Sequence, residues 1–449
     1  MHLLSLSNHF IFGFLIFCLI LIASSVVYAD NDSTPNVNQT TQINLARSSM
    51  KIKGFSDPEM DFQLMRSIGT DWYGGGILGE ILLAASEITD GDPSNWPKSF
   101  AQLGMQVEKD GRERLAKGHV VSARDALMRA SNYYRAAEYY ADPRLPERQE
   151  FGLKAHTCFI DGINLFDWRV DVLQIPYQDS FLPGYFLSPD KDTNQIARKT
   201  ILIMSGYDGT SEEIFFGAGR AALERGYNIL LFDGPGQVGA LRFHPHMSFI
   251  PDYSQPITAV VDFALKRKDV DPNQLALYGI SLGGYFAASG AITEKRIKAL
   301  ILNSPIVDIH EYLIAGGLSQ LENIPEDLRL EDFDYIPDEE MSPKYKISLW
   351  NMCTRFGQSS IFSLLEHLKE FNITGLVNKI TIPTLAMVGE GEGKIPLKQA
   401  QYCVDHVAGP ATLHVFDIQS GADSHCQMNN SPLSNAVLYD WLDEIFDEQ

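Results

Sequence analysis

The sequence predicts an α/β protein: a mostly parallel central sheet flanked by helices, preceded by a helical N-terminal domain and interrupted late by a helical lid insertion. Three observations carry this expectation. Between Thr200 and Asn303 short apolar runs alternate with helical stretches, as a parallel sheet covered on both faces requires. From Pro58 to about Gly152 apolar residues recur at helical spacing, with few alternating β-branched runs among them. Residues 308–375 then break the strand-helix rhythm with acidic loops, and it resumes at Thr384.

Taken in order, the chain opens with its one long apolar run, Phe10 to Ile22, followed by Val27-Tyr28-Ala29. That pattern predicts a signal peptide over residues 1–29, cut after Ala29, and so an exported protein, periplasmic or secreted. The run is short for a spanning helix. Because residues 1–29 contain no Lys or Arg, an uncleaved membrane anchor is the alternative. Residues 30–54, rich in Asn, Thr, Ser and Gln, are expected to form a flexible leader, with the folded protein beginning near Phe55. A length of 449 residues exceeds what one core usually organises. The division expected is a helical domain over 55–152 and a sheet-bearing domain over 153–449. In the first, helices are predicted over 61–68, 79–88, 99–117 and 121–140. The second opens with a hairpin, since Val170, Val172 and Ile175 alternate in period two before a turn and Gly184-Tyr185-Phe186-Leu187. Strands follow at 200–204, 228–232, 274–278 and 299–303, with helices at 212–225, 256–267 and 282–293 between them. The insertion, about 308–375, contains a helix over 359–371. Strands at 384–388 and 412–416 and helices at 397–407 and 434–446 complete the chain.

Lys and Arg number 36 against 57 Asp and Glu, a formal net charge of −21. Such a field repels phosphate backbones and anionic lipid heads, so neither nucleic acid nor, once the leader is removed, a membrane is an expected partner. The one short basic cluster, Lys266-Arg267-Lys268, reads as a solvated last helical turn. Cys158, Cys353, Cys403 and Cys426 have neither CxxC spacing nor a histidine at metal-ligand spacing, which points to buried free thiols and no metal site.

The chemistry centres on Tyr278-Gly279-Ile280-Ser281-Leu282-Gly283-Gly284, a G-x-S-x-G sequence between a predicted strand and an apolar helix. That placement resembles the nucleophile elbow of the α/β-hydrolase fold, a sharp turn that lifts the serine hydroxyl clear of the sheet. A serine hydroxyl is a weak nucleophile at neutral pH, so a histidine must accept its proton and an acid must orient that histidine. In this fold they follow in the order Ser, acid, His. The acid is expected in the loop after strand 384–388, at Glu392, with Glu390 as the fallback. Of the three later histidines, His406 falls in a helix and His414 in a strand, whereas His425 sits in the loop before the last helix, where a base can reach back to Ser281. Two aimed N–H groups must receive the charge that develops on the substrate oxygen. The backbone of Leu282 at the helix N-terminus is one, and Tyr207, in the loop Ser205-Gly206-Tyr207-Asp208-Gly209, is the other. Gly234-Pro235-Gly236-Gln237-Val238-Gly239 matches a dinucleotide-binding pattern but is expected to lack the helix that such a site needs. His244 and His246 read as loop residues rather than a metal pair.

With these residues in hand, the chain resembles the hydrolase family that includes dihydroxypseudooxynicotine hydrolase and fungal polyketide-shortening hydrolases. The marks are Trp72-Tyr73-Gly74-Gly75-Gly76, Gly206 to Asp208 with Glu212-Glu213, Asp233 to Gln237, the elbow at Ser281, Gly389 to Gly393, and Ala422 to Gln427. The resemblance implies cleavage of an ester or of a carbon-carbon bond next to a carbonyl in a small-molecule substrate, without a cofactor. It also implies a helical N-terminal domain that walls the substrate cavity and contributes to homodimer contacts. Glu392 stands where Asp is more usual, and Val238 where glycine is common. Asp308 and Glu311 are expected to add a carboxylate to the cavity. The leading expectation is therefore a serine hydrolase acting through an acyl-enzyme on Ser281. The alternatives are an acylaminoacyl-type peptidase, whose long N-terminal β-propeller has no counterpart in residues 55–152, and a non-catalytic binder on the same fold.

Overall fold

The computed structural model describes residues 47, 48, 52, 54–191, 196–321 and 324–447. The signal peptide expected over 1–29 lies outside the described residues, as does most of the flexible leader expected over 30–54. The chain then begins with five helices: α1 (Pro58–Gly69), α2 (Leu78–Ser86), α3 (Trp96–Ala116), α4 (Val120–Tyr140) and α5 (Pro146–Ile163). Asp57 starts α1 by accepting the N–H groups of Glu59 and Met60, with Pro58 in the first turn, where its missing N–H costs nothing. These helices pack around their own apolar cluster, in which Trp96, Phe100, Tyr133 and Tyr134 are fully buried.

The sheet has eight strands in the order β1-β2-β4-β3-β5-β6-β7-β8. The hairpin of β1 (Arg169–Tyr177) and β2 (Ser180–Ser188) is antiparallel, and β2 joins the rest antiparallel. The remaining strands are parallel: β3 (Arg198–Met204), β4 (Asn228–Phe232), β5 (Val270–Ile280), β6 (Ala299–Asn303), β7 (Thr384–Gly389) and β8 (Ala411–Phe416). Between them run α6 (Ser211–Ile214), which continues through a wider π turn at Phe215–Gly219 into α7 (Arg220–Glu224), then α8 (Val238–Phe243), α9 (Ser254–Leu265) and α10 (Leu282–Ala291). The insertion carries α11 (Ile309–Ala315), α12 (Pro343–Phe356) and α13 (Ile361–Leu368), and α14 (Lys394–His406) and α15 (Ser431–Asp447) finish the chain. Separate apolar clusters cover the two faces of the sheet, so β4 and β6 are buried along their whole length. The register aligns Met204 with Gly279, Ile280 with Asn303, and Gly389 with Phe416. The loops that follow these strands therefore open at one edge, where ligands of parallel sheets bind.

Buried ion pairs tie the helical region to the sheet-bearing region. Arg66 of α1 grips Glu213 with two hydrogen bonds of 2.5 and 2.6 Å and reaches Asp208 at 3.1 Å. Arg242 of α8 does the same with Glu138 of α4, at 2.5 and 3.0 Å, and meets Glu212 at 3.1 Å.

Three features depart from the sequence expectation. Helix α5 runs on to Ile163, across the expected boundary at 152, because Gly152 is a contact rather than a break: a side chain there would meet Glu138 Oε1 at 2.3 Å. A helix does begin within Gly234–Gly239, the six-residue α8 that starts at Val238, stabilised where Val238, Gly239 and Ala240 bury and Arg242 pairs. The fold also begins before Phe55. The Asp61 carboxylate accepts the N–H groups of Ile52, Gly54 and Phe55, and Arg47 lies over the Phe62 ring at 5.5 Å.

Candidate active site

Ser281 occupies the turn between β5 and α10 with φ +57° and ψ −127°, a conformation that non-glycine residues rarely adopt. Its N–H donates to the Asn303 carbonyl at the end of β6, which fixes the turn against the neighbouring strand. The hydroxyl lies 2.8 Å from His425 Nε2, and His425 Nδ1 lies 2.5 Å from Glu392 Oε2. Since Nδ1–H donates to the carboxylate, Nε2 is left to accept from the serine. Glu392 has no exposed surface, and its remaining valences are filled: Oε1 accepts the Gly389 N–H at 2.8 Å and Oε2 the Ser304 hydroxyl at 2.7 Å. The fallback acid, Glu390, turns the other way, to the N–H of Ile418. His406 and His414 remain on α14 and β8.

Burial works against a charge on His425, but Cys426 and the Glu392 carboxylate outweigh it and raise the imidazole to about 10. Leu282 opens α10, whose positive end faces the serine. The expected partner loop lies against it: a side chain at Gly206 would meet Leu282 N and Ser281 Cβ, each at 2.7 Å. Tyr207 follows in that loop, with its ring stacked near Phe249 and its carbonyl accepting from Arg355 of the insertion.

A cavity of about 60 Å³ opens at Ser281 and His425. Residues from two regions wall it: Phe62, Arg66 and Thr70 from the helices, Gly206, Asp208 and Ile280 from the sheet edge. Burial opposes the charge on Asp208, yet Arg66, Arg47 and Arg355 hold its carboxyl well below the usual carboxylate range. Asp308 and Glu311 do not line this cavity. Their carboxylates are engaged elsewhere: Asp308 caps α11 and holds Asn372, and Glu311 pairs with Lys398.

Sequence reasoning missed Arg47, whose carbonyl accepts the His425 N–H at 2.7 Å and whose side chain lines the cavity beside Ser281. It sits in a polar stretch with no apolar periodicity to announce it. Phe62 and Arg66 also escaped, since a buried helical face gives no sign of what it covers. The four cysteines Cys158, Cys353, Cys403 and Cys426 are buried free thiols.

The serine aminopeptidase (S33) family of hydrolases matches residues 195–418. The 20-hydroxy-prefusarin hydrolase of Gibberella moniliformis is 30% identical over 357 residues, covering 74% of this chain and 82% of that protein. A hydrolase of Pyricularia oryzae, ORFZ, is 29% identical over 417 residues, 87% of this chain and 97% of its own. In architecture the chain is similar to the crystal structure of 2,6-dihydroxy-pseudo-oxynicotine hydrolase, with a TM-score of 0.64 at 21% identity over 84% of this chain and 95% of that one. Taken with the strand order and the elbow between β5 and α10, these likenesses identify the chain as a member of the α/β-hydrolase family to which the fungal hydrolases belong.

Proposed function

We propose that this hydrolase cleaves an ester, or an activated carbon-carbon bond next to a carbonyl, in a small substrate through an acyl-enzyme on Ser281. The observation that carries the reading is the unbroken run of hydrogen bonds from Ser281 through His425 to the buried Glu392. In this reading His425 Nε2 takes the serine proton as Oγ attacks the carbonyl carbon. Glu392 holds Nδ1–H and offsets the charge of the imidazolium that forms. The N–H groups of Leu282 and Tyr207 receive the oxyanion, and His425 returns the proton to the leaving group. Water then repeats the sequence to free the acid. No step calls for a metal or an organic cofactor.

The test is labelling with a fluorophosphonate probe, which needs no knowledge of the substrate. Wild-type protein is expected to label and both Ser281→Ala and His425→Ala to lose the label. Undiminished labelling of Ser281→Ala would overturn the assignment. We also infer export by the leader over residues 1–29. Amino-terminal sequencing of protein recovered outside the cytoplasm is expected to begin at Asp30, and a chain still starting at Met1 would refute cleavage.

A further inference from the structure

A second, larger cavity of about 340 Å³ lies away from Ser281, where the α4–α5 connection, α8 and α12 of the insertion meet. Four arginines line it, Arg144, Arg148, Arg242 and Arg355, against one carboxylate, Glu138. In a chain of net charge −21 such a concentration of positive charge is unexpected. Two of the four are neutralised within the protein. Arg242 is held by Glu138 and Glu212, and Arg144 by Asp142 and Asp334. The other two are not. Arg148 donates to the amide oxygen of Asn351, and Arg355 to the Tyr207 carbonyl, and among the described residues neither has a carboxylate within ion-pair distance. Arg355 is 4% exposed and its Nε has no hydrogen-bond partner.

A buried guanidinium with no carboxylate in direct contact is costly, and two facing one cavity repel each other. Partial burial, reinforced by Arg355, pushes Arg148 down to about 10. An anion entering the cavity would reverse both costs. The planar guanidinium fork matches the two oxygens of a carboxylate or a phosphate, and the volume falls in the range of small-molecule sites.

We propose that this cavity is an anion site, in which Arg148 and Arg355 bind the carboxylate or phosphate group of a small molecule. Arg355 connects it to the edge of the sheet. Its guanidinium lies 4.4 Å from the centre of the Tyr207 ring and donates to the Tyr207 carbonyl, one residue from the Gly206 that packs on Leu282. An occupant would fix the loop 205–209 from behind. The anionic group comes either from a separate metabolite or from the far end of an acyl substrate.

Binding is measurable without turnover, so its outcome is independent of the catalytic reading. Calorimetric titration of Ser281→Ala protein at fixed ionic strength, with inorganic phosphate, succinate and neutral succinamide, is expected to show saturable binding of the two anions only. Adding Arg148→Gln, a partly exposed position, is expected to weaken that binding at least tenfold while circular dichroism is unchanged. Arg355→Gln, which is buried, serves as the second variant. Absence of saturable anion binding, or binding unaltered by both substitutions, would overturn the proposal. Hydrolysis of 4-nitrophenyl acetate and of the 4-nitrophenyl monoester of adipic acid then separates the sources. A rise in KM confined to the adipate ester in Arg148→Gln assigns the site to the substrate's own carboxylate, and equal effects of phosphate on both esters assign it to a separate ligand.

Discussion

Glu392 has no contact with solvent, so its charge acts on His425 almost undiluted. Glu392→Gln keeps the shape but removes that charge. It is expected to lower kcat roughly 10⁴-fold and to move the acidic limb of the kcat/KM profile to lower pH, because the imidazole must lose its proton before it can accept one from Ser281. In the wild type that limb is expected above the ordinary histidine value of 6.5, since the neighbouring carboxylate raises the group. Stopped-flow hydrolysis of an activated ester from pH 5 to 10 reads both effects. Gly206→Ala places a methyl group 2.7 Å from Leu282 N and Ser281 Cβ. The displaced loop is expected to cost about 10²- to 10³-fold in kcat with an unchanged circular dichroism spectrum. At this scale Ser281, Glu392 and His425 were legible because the elbow, the strand before the acid and the loop before the last helix fix their order along the chain. Arg47 was not, because a backbone carbonyl that supports a histidine 378 positions away leaves no mark on residue type.

Elements repeat the pattern of what a sequence reveals. Strands β4 and β6 were readable to the residue, since burial on both faces makes them continuous apolar runs with polar ends. Helix α5 was not among the expected helices, and the boundary expected at 152 falls inside it, where Gly152 is the gap that admits the Glu138–Arg242 pair. Such pairs join residues far apart in sequence, 147 positions for Arg66 and Glu213 and 104 for Arg242 and Glu138, and charge identity alone does not say which partners meet. Removing Glu138 takes the two-pronged partner from the buried Arg242 guanidinium and leaves Glu212 as its remaining carboxylate. Glu138→Ala is expected to destabilise the fold by about 3 kcal/mol, read as a lower urea midpoint at unchanged slope. Loss of a comparable amount from a surface pair such as Arg114–Asp110 would contradict this ranking.

For the whole molecule, the titrating groups pull in opposite directions as pH rises. Burial, with the charge of Glu212, lifts Asp233 from 3.8 to about 7, so its contribution to stability is full below pH 4 and drains away towards 7. His425, raised from 6.5 to about 10, contributes fully below 6.5 and loses that contribution above it. Asp208 and Glu212 are both depressed by neighbouring arginines against the opposing effect of burial, so they stabilise above about pH 4 and fail in acid. Together these place the highest stability near about pH 5, and a thermal midpoint that climbs steadily from pH 5 to 9 would show that other groups dominate. The segment around Arg47 bears on a practical choice. The first helix begins at Pro58, so a shortened protein starting near Phe55 looks harmless on paper. Such a protein would lose the acceptor of the His425 N–H and one wall of the serine's cavity, and a fall in its turnover would then be a wound inflicted by the truncation, not a property of the enzyme.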